Sequence, residues 1–173
     1  MKKILLLMFL CTISICAKAQ EADSLQTKTN ISIEELAAKL DKLQHDYDLL
    51  QLRYTIDFTT QGLERIERQS NNCSTKMMVM FHHPNEYEFG LNQYLSYLEL
   101  YKQNTKLLNQ LEKETMPMLN NMIKIEITKS RFSKDEIGLL QSLNDYCINC
   151  CERAKSSLII FKVYIDVYKR NIQ

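Results

Sequence analysis

From residue 33 onward, apolar and polar positions alternate in steps of three and four. Leu36, Leu40, Leu43, Tyr47, Leu50 and Tyr54 form one such series, and Tyr87, Leu91, Tyr94, Leu98 and Tyr101 form another. A third runs through Leu140, Leu143, Cys147, Cys150 and Ala154 and continues through Leu158, Phe161, Ile165, Tyr168 and Ile172. Steps of three and four keep side chains on one face of a helix, the seam by which helices pack together. The spacing predicts helices over about 33–80, 85–130 and 134–172, and each stripe is expected to face the core.

Start signals stand ahead of these segments. Ser32 with Glu35, and Ser133 with Glu136, have the capping-box pattern: the Ser oxygen accepts from a free backbone N–H and the Glu reaches back. Pro84 suits a first helical turn, where its missing donor costs nothing. Inside the second helix, Pro117 removes one backbone hydrogen bond and crowds the turn before it, so a kink is expected there. Gly62 lies within the first helix and leaves open whether that helix breaks.

Three glycines and two prolines in 173 residues leave little turn chemistry for sheets. The expected fold is all-α: an elongated antiparallel bundle of three long helices, coiled-coil-like, or four segments if Gly62 breaks the first. Short connections make neighbouring helices antiparallel. No internal repeat suggests a solenoid.

The first 19 residues read as a cleaved secretory signal. Lys2 and Lys3 form a positive start, residues 4–15 are apolar, and Ala17-Lys18-Ala19 has the small-x-small pattern of a cleavage site. The apolar run is shorter than the ~20 residues of a spanning helix. Cys11 and Cys16 follow Leu10 and Ile15, bulky residues where lipidation needs small ones. Residues 20–31 are polar and aperiodic and read as a flexible tether, followed by one helical domain over 32–173. This organisation places the mature chain in the periplasm or outside the cell.

Cleavage changes the charge balance. Lys2, Lys3 and Lys18 leave with the signal, so 19 of the 22 basic residues remain against all 21 acidic ones. A near-neutral chain lacks the clustered positive charge that nucleic acid requires. The basic run of Lys124, Lys129, Arg131 and Lys134 against Glu126 reads as a solvated helix junction. The longest later apolar runs, residues 77–81 and 158–161, are too short to span a bilayer.

Candidate chemistry is sparse. Cys73, Cys147, Cys150 and Cys151 survive cleavage and are disulfide candidates in an oxidising compartment. In a simple bundle Cys73 stands roughly 30 Å along the axis from the other three, beyond the reach of a disulfide. Cys147 and Cys150 have C-x-x-C spacing, but mid-helix on an apolar stripe, where small core residues are the expected reading. Cys73, Met77, Met78, Met80, His82 and His83 form a soft-ligand cluster. Of these, Cys73, Met77, Met80, His82 and His83 are the candidate ligands for copper or zinc, with Glu86 and Glu88 as outer acceptors. The ordinary alternative is methionine filling a helix end before a turn. Nine tyrosines, six of them on the stripes (Tyr47, Tyr54, Tyr87, Tyr94, Tyr101 and Tyr168), suit core packing first and a lateral interface second.

No G-x-S-x-G, H-E-x-x-H or Gly-rich phosphate loop occurs, and no cofactor is implied. The expected function is non-enzymatic: an exported adaptor, scaffold or assembly subunit that meets a protein partner, or a second copy of itself, through helical faces. The alternatives are a metal-binding module at residues 73–83 and a thiol redox protein using Cys147 and Cys150.

Overall fold

A computed structural model describes residues 33–83, 90–129 and 131–172. The signal and tether readings at 1–31, Ser32 of the first capping box, and Pro84, Glu86, Tyr87 and Glu88 lie outside the described residues. The chain divides into two units, 1–38 and 39–173. Of the first, residues 33–38 are the opening turns of α1, all of them exposed. The second carries the bundle.

Four α-helices and one π-helical turn make up the described chain: α1 (Ile33–His82), α2 (Leu91–Gln110), the π turn (Leu111–Thr115), α3 (Met116–Thr128) and α4 (Lys134–Ile172). The α2–π–α3 stretch is one uninterrupted helical rod, so three rods pack together as the stripes predict. The described residues contain no strand.

Cross-contacts fix the directions within the second unit. Along α1 and α4, His45 meets Glu136 at 3.4 Å, Glu64 accepts from the Tyr146 hydroxyl at 2.9 Å, and the Met77 carbonyl accepts from the Tyr168 hydroxyl at 2.9 Å. Both sets of numbers rise together, so α1 and α4 are parallel. The middle rod runs the other way: Asn144 Nδ2 donates to Asn120 Oδ1 at 3.0 Å, Lys155 pairs with Glu112 at 2.7 Å, and Phe161 meets the Tyr101 ring edge-on at 5.9 Å. The order is up, down, up.

The α4 seam is the one the sequence predicts, with Leu140, Cys147, Cys150, Ala154, Leu158, Phe161, Ile165 and Tyr168 buried and Leu143 packed at its edge. On the middle rod the stripe holds in part. Tyr94 is buried and Leu98 and Tyr101 pack against the core, but Leu91 is exposed.

The second capping box forms as expected. Ser133 N donates to Glu136 Oε2 at 2.8 Å, the Ser133 hydroxyl donates to the same oxygen at 2.7 Å, and Glu136 N donates back to Ser133 Oγ at 3.3 Å. This fixes the start of α4 beside α1. The junction ahead of it is tied down by Lys129 to Glu126 at 2.9 Å and Arg131 to Asp48 at 3.5 Å.

The sequence predicts a kink at Pro117 and leaves Gly62 open; the structure places a π turn just before the proline. Around Pro117 the rod widens into the π turn, where Met116 N–H reaches back five residues to the Leu111 carbonyl. A wide turn relieves the clash that the proline ring makes with the preceding turn. It also adds one residue to the helical count and rotates everything after it. A strict continuation of the seam from Leu108 and Leu111 would bury Met118; instead Met118 is exposed, and Leu119 and Ile123 are buried.

Gly62 does not break α1. It lies opposite the π turn, and a Cβ there would stand 3.1 Å from Leu111 Cδ1. A glycine costs about 1 kcal/mol against alanine in mid-helix. Its benefit here is the close approach of α1 to the widened turn.

Polar groups also enter the seam. Thr59 and Ser74 donate to the carbonyls of Thr55 and Ser70 at 2.7 and 2.8 Å. Ser70 Oγ and Asn104 Nδ2 are buried with no hydrogen-bond partner among the described residues. Counting along each helix from the Gly62–Leu111 contact, these two atoms fall within one residue of the same level.

The Gly62 contact predicts a graded response. Gly62→Ala should change stability little, because the propensity gain opposes a small displacement of Leu111. Gly62→Val should lose about 1–3 kcal/mol through overpacking, read from the urea unfolding midpoint. A Val variant as stable as the parent would mean that α1 and the π turn are not in close contact.

Candidate functional site

The face of α1 that packs is not the face its most regular stripe predicts. The buried series is Leu52, Ile56, Thr59, Leu63, Ile66, Ser70, Cys73 and Met77, again in steps of four and three. It extends backward through Leu49, which packs against the core, to His45, whose ring meets Phe132 edge-on at 5.2 Å. Leu36, Leu40, Leu43, Tyr47, Leu50 and Tyr54, expected in the core, are exposed instead. The correction has a simple geometric form. The two series are two residues out of phase, and two residues at 100° each put them 200° apart, on opposite sides of the helix.

This outer stripe is built by the inner one. Leu52, Ile56, Leu63 and Ile66, each 1% exposed or less, hold α1 against its neighbours and so fix which side faces outward. Exposure along the outer stripe runs from 40% at Leu40 to 68% at Tyr54, and Phe58 continues it, stacked on Tyr54 at 6.3 Å. Single exposed apolar residues need no explanation, but a contiguous stripe of them on one helix face does. Residues 33–44 are exposed throughout, and packing of α1 begins at His45.

The tyrosines divide accordingly. Tyr94, Tyr101 and Tyr168 serve the core; Tyr47 and Tyr54 belong to the outer stripe, a correction to their expected burial.

All four described cysteines are free and buried. Cys147 lies beside Thr60 on α1, and Cys73 lies 13 residues further along that helix, about 20 Å at the helical rise. The separation is shorter than the roughly 30 Å expected from sequence because α4 starts opposite His45, not opposite residue 33. It remains well beyond the ~7 Å reach of a disulfide. Burial pushes the Cys73, Cys147 and Cys151 thiols up from their ordinary value. A C-x-x-C nucleophile needs the opposite shift, supplied by a helix N-terminus. Here Cys147 and Cys150 stand mid-helix.

A polar clasp lies against one of them, Cys150. Arg153 Nε donates to both Glu67 carboxylate oxygens at 3.1 and 3.2 Å, and its Nη2 donates to Cys150 Sγ at 3.2 Å. Its guanidinium also lies 5.8 Å from the centre of the Tyr146 ring. The Glu67 bond holds Arg153 firmly protonated, and the hydrogen bond to Glu64 pushes the Tyr146 phenol up.

The candidate metal ligands separate. Cys73 and Met77 are buried and Met80 is half-buried on the inner side, while Met78, His82 and His83 are exposed. Met77 is fully enclosed, and the His82 ring meets Phe81 edge-on at 5.8 Å. Among the described residues no three His, Cys, Asp or Glu side chains converge as a metal site, and no helix is long and apolar enough to cross a membrane.

Sequence reasoning passed over His45, yet it joins α1 to the start of α4. Its Nδ1 is 3.1 Å from Asp46 Oδ1 and its Nε2 is 3.4 Å from Glu136 Oε2. The Asp46 bond, with help from Glu136, raises the His45 pKa above its ordinary 6.5. The Ser133 bonds lower that of Glu136 below 4.5. Compared with known protein families, curated proteins and solved structures, the chain matches none.

The signs of these shifts define a pH window. The raised His45 contributes stability fully below pH 6.5, and the contribution fades as pH rises through its folded value. The lowered Glu136 contributes above pH 4.5 and fades as pH falls. This end of the bundle is therefore held best between those values. Thermal unfolding followed upward from pH 6.5 should show a stability loss that His45→Gln abolishes. An identical slope in the variant would detach His45 from the fold's pH response.

Proposed function

We propose that this chain is an exported, non-enzymatic helical protein that acts through protein–protein contact, with the outer stripe of α1 as its contact surface. The export reading rests on the signal pattern of residues 1–19; the contact reading rests on the stripe. The bundle uses the inner face of α1 for its own core. The outer face carries Leu40, Leu43, Tyr47, Leu50, Tyr54 and Phe58 at 40% exposure or more. Tyrosine and leucine at seam spacing, on a helix already packed by its other face, form a surface suited to a helical partner. An adaptor, a scaffold or a subunit of an assembly in the cell envelope or outside the cell would need such a face. The buried, mid-helix thiols of Cys147 and Cys150 and the separation of the Met–His cluster give no comparable support to redox or metal chemistry.

A photocrosslinking residue placed at Leu50 in the exported protein should yield a discrete covalent adduct in cells. The same residue at Lys42, exposed on the polar side, should yield none, and Leu43→Glu should abolish the Leu50 adduct. Equal adducts at both positions, or none at either in folded protein, would remove the outer stripe as a contact surface.

A further inference from the structure

Resting on that reading, we infer that the occupant of the outer stripe is a second copy of this chain, paired antiparallel with its centre between Asp48 and Leu49. The flanks of the stripe carry the argument. Lys39, Asp46 and Arg53 stand at seven-residue intervals along one side, and Gln44, Gln51 and Phe58 along the other. These are the positions that flank a coiled-coil seam and select its partner and direction.

Two directions can be compared on these residues. In a parallel, in-register pair, flanking contacts cross from one side to the other. Asp46 would meet Gln51 of the second copy, Lys39 would meet Gln44, and Arg53 would meet Phe58. That arrangement forms no ion pair, and it sets Tyr47 on Tyr47 and Tyr54 on Tyr54.

An antiparallel pair brings like flanks together. Centred between Asp48 and Leu49, it sets Asp46 beside Arg53 of the second copy, twice by symmetry, and Gln44 beside Gln51, twice. Every central layer then joins a tyrosine to a leucine: Tyr47 to Leu50, and Leu43 to Tyr54, each with its symmetry mate. Layers of equal bulk pack evenly. A two-fold pairing of one patch with itself is also the commonest way for a chain to self-associate. The seam ends where Asp57 interrupts the stripe.

The bundle leaves room for this pairing. The other rods pack on the inner side of α1, from His45 toward its C-terminal end. With α1 reversed in the second copy, the two bundles point away from each other. They lie side by side only where residues 45–52 face 52–45. Because the inner seam already holds α1 helical, association costs side-chain freedom but little backbone ordering.

The test uses charge reversal in the full mature chain, followed by sedimentation equilibrium. Wild type should be a reversible dimer. Asp46→Arg and Arg53→Asp should each weaken it roughly tenfold or more, since each turns two attractions into two repulsions. Mixing the two variants restores both ion pairs and should restore the dimer. That recovery on mixing is particular to the antiparallel register. Variants that dimerise as wild type does, with nothing gained on mixing, would overturn the register.

A wild type that stays monomeric across the concentration range would overturn self-pairing. The Leu50 crosslink then separates the two ideas. An adduct with a different protein leaves the contact surface standing with another occupant. An adduct within the chain, at residues 20–31, or no adduct, removes the contact surface as well.

Discussion

A helix in a three-helix bundle can turn only one side toward its two neighbours, and α1 carries apolar residues on two. Everything else in the molecule follows from which side is buried. The choice falls on the less regular side. Leu52, Ile56, Leu63, Ile66 and Met77 supply fully buried bulk, each contributing on the order of 1.5–3 kcal/mol on burial. The positions between them are small or polar: Thr59, Ser70 and Cys73. Small residues let helices approach, and the Gly62 contact with Leu111 is the tightest expression of this. The outer side, leucine and tyrosine continued by Phe58, has bulk but no such places for a neighbour within the chain.

Close approach on the inner side is matched by adjustments in the other rods. The π turn brings Leu111 toward Gly62 and re-phases α3 so that Leu119 and Ile123 face inward. Polar contacts then set the level of each rod. His45 holds the capping box of α4 at one end, the Arg153–Glu67 clasp marks the middle, and the Tyr168 bond to the Met77 carbonyl marks the far end. Surface ion pairs contribute little to stability. Their value here is in register, because the parallel α1–α4 pair has no short connection to set it.

Much of this was legible in the sequence. Helix number, class and order follow from spacing and from the scarcity of glycine and proline, and the α4 seam and the Ser133 capping box are as read. What misled was the assumption that the most regular stripe marks the core. On α1 the inner seam hides behind His45, Thr59 and Ser70, which a search for apolar residues skips. Counting small polar residues as admissible seam positions exposes an unbroken four–three series from His45 to Met77. The phase shift after Pro117 was not legible either, since spacing shows that a proline disturbs a helix but not how the helix absorbs it. Arg153, Glu67 and Tyr146 come together only through tertiary register, which the sequence does not state. The same holds for the candidate ligands at 73–83: adjacent in sequence, they are dispersed around a helix that continues to His82 instead of turning among them.

The orientation of α1 is the central claim, and tyrosine footprinting in dilute solution tests it directly. With the inner seam buried, Tyr47 and Tyr54 should be modified readily, while Tyr94 and Tyr168 should be protected until the protein unfolds. Protection of Tyr47 and Tyr54 at every dilution, with Tyr94 and Tyr168 reactive, would mean that the outer stripe is the core.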